Sequence, residues 1–106
     1  MLDGEQHFQA TAVLTNSSQE EAFRVVGLPL VEATLKGVSS TLLAYGGVGS
    51  GKTYSLVGGE QSHETGIIVR ALEMLVHLRS NAEINVSMYE VEVTNVCLIT
   101  NALIEI

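Results

Sequence analysis

Apolar and polar positions along the chain keep switching between a period of two and a period near 3.6, and the switches mark out the elements. Residues 8–14 read as a short strand. The polar run Thr15-Asn16-Ser17-Ser18 follows, and Ser18 with Glu21 three residues on is a capping-box signature. A helix is predicted from there to about Lys36, with Phe23, Val26, Leu30 and Ala33 along one stripe. Lys36 suits the negative helix end and Gly37 the left-handed position after it. Pro29, the single proline, lies inside this pattern and is expected to kink the helix or divide it. Residues 38–45 form the next strand. Its stretch Thr41-Leu42-Leu43-Ala44-Tyr45 is apolar on both sides of the pleat, as a central parallel strand requires. A glycine-rich turn over 46–51 leads into a short helix from Lys52, broken by Gly58-Gly59. Beyond the polar loop 59–66, Ile68, Ala71, Leu72, Leu75 and Leu78 recur at helical spacing over 67–79. Ile84, Val86 and Met88 then alternate with polar residues as in a strand, and apolar runs return at 96–99 and 102–104. The pattern continues to Ile106, which reads either as a fully packed last strand or as part of a larger domain. Strand-like and helix-like segments in alternation predict an α/β fold with a mostly parallel sheet.

Composition narrows the partners. The 106 residues make one domain, 46% apolar and 16% charged, hence globular. The net charge of −7, with five scattered basic residues (Arg24, Lys36, Lys52, Arg70, Arg79), argues against nucleic acid and against an anionic membrane surface. Cys97 is the lone cysteine, so neither an internal disulfide nor a Cys-x-x-Cys metal site is expected, and an intracellular location fits. It is expected to pack as a small hydrophobe. The first residues lack the basic and apolar regions of a secretory signal, and no apolar run has bilayer-spanning length, so a soluble chain is expected. His7, His63 and His77 are far apart, which suits solvated side chains better than metal ligands.

One segment carries chemistry. Gly46, Gly47, Val48, Gly49, Ser50, Gly51, Lys52 and Thr53 match the phosphate-binding loop G-x-x-x-x-G-K-[ST] in full. Glycines let the backbone wrap a polyphosphate and aim successive N–H groups inward, and the following helix adds its positive end. Lys52 would reach the β- and γ-phosphates of a bound polyphosphate, and the Thr53 hydroxyl would hold Mg²⁺. Tyr54, on the first turn after the lysine, lies beside this site or packs inward. The bland alternative is a strand-to-helix turn with no ligand.

The wider sequence resembles the kinesin motor domain, whose comparable stretches read S-Q-x-x-V-F, P-L-V, A-Y-G-Q-T-G-S-G-K-T-Y-T, G-I-I-P-R-A and V-S-Y-x-E-I-Y. Their counterparts here are Ser18-Gln19-Glu20-Glu21-Ala22-Phe23, Pro29-Leu30-Val31, Ala44 through Ser55, Gly66-Ile67-Ile68-Val69-Arg70-Ala71 and Val86 through Val91, in that order. The resemblance covers residues 8–98. It implies a P-loop NTPase-type three-layer sandwich, here incomplete, with MgATP as cofactor and microtubules as partner. It also implies a place in the cytoplasm on the cytoskeleton.

The departures bear on activity. Gly47 and Val48 stand where the family has Gln-Thr, and Val69 where it has Pro. The family's Arg-x-Arg-Pro strand, its switch I Asn-x-x-Ser-Ser-Arg and its switch II Asp-x-x-Gly have no counterpart in these residues. Asp3 is the only aspartate, and Glu90 at a strand end reads as an ordinary surface carboxylate rather than a second Mg²⁺ anchor. Hydrolysis needs a positioned water and a charge clamp as well as a cradle. Three functions stand open at this point. The first is the nucleotide-binding part of a motor ATPase, which by itself binds without hydrolysing. The second is a degenerate, non-enzymatic fragment with a sheet edge open to a partner. The third is a different P-loop enzyme such as a small-molecule kinase.

Overall fold

A computed structural model describes residues 4–79, 81, 83–93 and 97–105, and from residue 89 onward the backbone alone. The capping box forms as the sequence requires. Ser18 Oγ accepts from the Glu21 amide at 3.1 Å, and the Glu21 carboxylate accepts from the Ser18 amide at 3.2 Å. Helix α1 (Gln19–Ala22) starts there and runs into a wide π turn, Phe23–Gly27, before α2 (Leu28–Leu35). Pro29 accounts for the wide turn: it has no N–H for the Val25 carbonyl, and its ring would crowd that oxygen in a regular helix. The chain therefore opens the preceding turn, and the Leu28 amide bonds to the Phe23 carbonyl five residues back.

The wide turn also corrects the predicted stripe. It advances the buried face by about one residue, so Phe23, Gly27, Val31 and Thr34 point inward. Leu30 and Ala33 instead line an apolar groove of about 540 Å³ between α2 and the next strand, together with Pro29, Val38 and Leu42. Helix α2 ends as predicted, with Gly37 at φ 81°. The Gly37 amide bonds to Thr34 O and the Val38 amide to Ala33 O, the paired bonds of a Schellman end.

Strand β1 (Ser40–Gly46) is followed by α3 (Lys52–Leu56), a short 3₁₀ turn at Ser62–Glu64, α4 (Ile67–Leu78), β2 (Asn85–Val93) and β3 (Cys97–Glu105). The three strands pair in the order β1-β3-β2, and both pairings are antiparallel. A mostly parallel sheet with β1 at its centre is therefore not what the described strands form. The three-residue connection between β2 and β3 dictates one of these pairings, because parallel neighbours need a crossover of a dozen residues or more. Only one face of β1 is covered: Ser40, Leu42 and Ala44 turn toward the helices, while Leu43 and Tyr45 are 55% and 72% exposed. Val86 and Met88 of β2 are exposed as well.

The expected strand at 8–14 is absent, and Phe8 is 86% exposed. Strand propensity counts only where a neighbouring strand supplies a ladder, and residues 8–14 have none among the described residues. The apolar runs predicted at 96–99 and 102–104 fall largely on β3, whose side chains lie outside the description, as does residue 96 altogether. Cys97 pairs with Val93 through the backbone, and its packing lies outside the described residues too.

The core lies between helices. Phe23, Val31, Ile67, Ala71 and Leu75 form its main cluster, backed by Val26, Leu35, Leu42 and Ile84. Thr34 is buried beside this cluster, and its hydroxyl is satisfied by Leu30 O at 2.8 Å and Ser40 Oγ at 3.2 Å. Leu78, predicted on the inner stripe of α4, is 53% exposed at the helix end. Leu75 has no exposed surface, so Leu75→Ala leaves a cavity at the centre of the cluster. The expected loss is about 2–5 kcal/mol of unfolding free energy, read from the urea midpoint of the variant against the parent chain.

Candidate functional site: the glycine-rich loop

The loop predicted to bind phosphate leaves β1 at Gly46 and enters α3 at Lys52, so a strand precedes it and a helix begins at the lysine. Gly51 takes φ 92°, the left-handed region that side-chain-bearing residues avoid, and this bend aims the chain into α3. The turn is tied by the Ser50 amide to Gly47 O at 3.2 Å and by Ser50 Oγ to the same oxygen at 2.7 Å. The Ser50 N–H is thus engaged within the loop, so the inward-pointing amides are fewer than the motif alone suggests. Val48, Gly49, Ser50, Gly51, Lys52, Thr53 and Tyr54 line a concavity of about 470 Å³.

The Lys52 ammonium folds back over the loop, donating to the Gly46 carbonyl and, at 3.4 Å, to Gly47 O. Gly47 is open to solvent, and Val48 is 98% exposed. The Thr53 hydroxyl lies on the exposed first turn of α3, and Tyr54 is about half exposed at the rim. Because α3 has five residues, its dipole is small, and the loop backbone with Lys52 is the main anion-attracting feature. The residues of the predicted site are therefore brought together, all nine within one turn and its helix.

Two anchors hold this short helix. Leu56 is buried in a second cluster with Ile68 of α4, against Leu42 and Ala44 of β1. Behind it, the loop after α3 folds back so that the Gly66 amide bonds to Val57 O at 3.0 Å. Arg70 pins that loop from α4, its Nε donating to Thr65 O at 2.7 Å.

The sequence reading missed Gln19 as a working residue. It is 7% exposed, and its side-chain amide donates to Tyr54 O at 2.6 Å and to Glu64 O at 3.0 Å. These partners are 35 and 45 residues away, beyond any local pattern.

Other candidates stand apart from the loop. The Glu90 backbone pairs with Thr100, two strands from β1 and therefore about 10 Å across the sheet. His7, His63 and His77 are all exposed. Among the described residues, no group of three His, Cys, Asp or Glu side chains gathers as a metal site. Nor is any described helix long and apolar enough to cross a membrane.

Comparison with known proteins decides the family. The profile for the kinesin motor domain matches residues 3–104. The chain belongs to the kinesin motor domain family. Kinesin-like protein KIN-UA of Oryza sativa subsp. japonica is 43% identical over 67 residues, covering 61% of this chain and 7% of that protein. Chromosome-associated kinesin KIF4 of Mus musculus is 36% identical over 88 residues, covering 76% of this chain and 7% of that protein. Kinesin-like protein KIN-12C of Arabidopsis thaliana is 45% identical over 64 residues, 55% of this chain and 3% of that protein. The chain thus spans less than a tenth of the length of these curated relatives. No solved structure matches it. Kinesin membership implies a P-loop NTPase fold, and it leaves no support for a small-molecule kinase.

The loop's dependence on its rear contact is testable. A Cβ at Gly66 would collide with the backbone of Leu56 and Val57, which no rotamer relieves. Gly66→Ala is expected to lower stability by about 1–3 kcal/mol, measured by urea unfolding.

Proposed function

We propose that this chain is the phosphate-binding part of a kinesin-type motor, holding MgATP or MgADP at residues 46–54. The observation that carries the reading is the complete loop between β1 and α3, with a concavity of about 470 Å³ and Lys52 at its base. The fit to a nucleotide's phosphates is chemical as well as spatial. The lysine supplies a cation, and the glycines leave the backbone open to close approach. The Thr53 hydroxyl would be the one protein ligand to Mg²⁺, the remaining positions going to phosphate oxygens and waters, as this cation commonly accepts. The bound metal would supply charge neutralisation between neighbouring phosphates.

Lys52 must exchange partners for this to happen. Its ammonium is held by the Gly46 and Gly47 carbonyls, neutral acceptors that a phosphate oxygen, carrying charge, outcompetes. The same side chain thus ties the loop's own carbonyls and would serve as the cation for a phosphate. In the whole motor, by family likeness, ATP turnover would drive movement along microtubules in the cytoplasm. These 106 residues contain neither Asn-x-x-Ser-Ser-Arg nor Asp-x-x-Gly, so the chain by itself is proposed to bind nucleotide without turning it over.

Calorimetric titration with MgADP tests the cradle. Lys52→Ala is expected to weaken binding at least about tenfold, roughly 1.4 kcal/mol, while leaving the urea midpoint close to that of the parent. Equal affinity in the two chains would remove Lys52 from the site. In a separate assay the purified chain is expected to release no phosphate from MgATP above background, with or without microtubules. Microtubule-stimulated release would overturn the binding-only reading.

A further inference from the structure

We propose that Gln19 is the positioning residue of the nucleotide loop: its buried side-chain amide fixes α3, and through it Lys52 and Thr53, against the start of α1. The inference rests on the nucleotide-binding reading above and deepens it, by assigning a residue that touches no ligand. A primary amide has two N–H donors, and here each meets a main-chain carbonyl, Tyr54 O at 2.6 Å and Glu64 O at 3.0 Å. Both partners are acceptors, so the nitrogen and not the oxygen must face them.

The two carbonyls are well chosen. Tyr54 directly follows Thr53, and its carbonyl is one that a five-residue helix leaves without an internal partner. The amide that would close the next turn, from Gly58, goes to Thr53 O instead. Glu64 belongs to the loop behind α3, and its carbonyl already accepts from the Gly59 amide at 3.1 Å. A single side chain therefore ties the start of α1 both to α3 and to the loop that follows it, 35 and 45 residues away in sequence. Its own position is set by the capping box one residue earlier, which fixes where α1 begins. Rotation of α3 about its axis would swing the Lys52 ammonium and the Thr53 hydroxyl away from the loop. The Tyr54 carbonyl is the handle that opposes this rotation.

The loss of these bonds is separable from general loss of stability. Gln19→Met keeps the length and removes both donors, and Gln19→Ala removes the side chain. Val31→Ala truncates a buried side chain away from the loop and serves as the control. MgADP affinity is measured by titration, stability by urea unfolding, and hydrogen exchange is followed at residues 52–66. Both Gln19 variants are expected to weaken MgADP by about five- to thirtyfold and to speed exchange across 52–66. Val31→Ala is expected to lose stability with MgADP affinity within twofold of the parent. Parent-like affinity in Gln19→Met, with Lys52→Ala still impaired, would overturn the positioning role and leave the nucleotide reading intact. Should the parent chain itself fail to bind MgADP, the nucleotide reading falls. The exchange data then decide the tether, and unchanged rates at 52–66 in Gln19→Met would reject it.

Discussion

The glycine-rich loop owes its shape to what lies beneath α3. A helix of five residues has barely one turn of internal hydrogen bonds, far short of the length at which helices persist in water on their own. Its place is set by the burial of Leu56 against Ile68, Leu42 and Ala44. That contact joins the strand before the loop to the helix that follows the next loop. Without it, Lys52 and Thr53 would ride on a frayed turn, and the concavity they line would have no floor. The close approach of Gly66 to the end of α3 and the two bonds from Gln19 act on the same few residues from the other side. The site is thus packed from below and open above.

That arrangement explains why the polar residues near the loop face inward or backward. Arg70 spends its Nε on Thr65 O, and Gln19 spends its amide on Tyr54 and Glu64. Both shape the backbone, and neither competes with Lys52 for an anion. The β-sheet plays a smaller part than an α/β reading suggests. One face of β1 meets the helices, and the other leaves Leu43 and Tyr45 largely exposed. Two apolar positions on an open face suit a strand that is covered on both sides in a complete motor domain, of which the chain spans a part.

Features set by neighbours in sequence were legible. The capping box at Ser18 and Glu21, the left-handed Gly37 and the start of α3 at Lys52 each depend on residues within four positions, and all formed. Features set by distant contacts were not. The inward face of α2 shifted because Pro29 widened the turn before it, a consequence of backbone geometry that hydrophobic periodicity ignores. Residues 8–14 have the right side chains for a strand and, among the described residues, no partner to pair with. Antiparallel pairing of β1 with β3 joins segments more than fifty residues apart, and no local signal specifies its direction. Nothing local marks Gln19 as buried, since a polar side chain reveals its burial only through its partners.

The substitutions inside the loop bear on its backbone freedom. Where the family resemblance has Gln-Thr, this chain has Gly47 and Val48, and neither side-chain position is packed: a Cβ at Gly47 would meet nothing, and Val48 is 98% exposed, so this stretch is tied only through the Gly47 carbonyl. A glycine in an open position adds conformational freedom to the loop, worth about 0.5–1 kcal/mol relative to a residue with a side chain. A polyphosphate seated there would have to remove that freedom while also drawing the Lys52 ammonium off the Gly46 and Gly47 carbonyls. Both terms oppose association and neither touches the contacts made once the phosphates are seated. The loop therefore keeps the residues of its motif, but for a polyphosphate seated there these two terms would make it a weaker holder than a more constrained loop of the same shape.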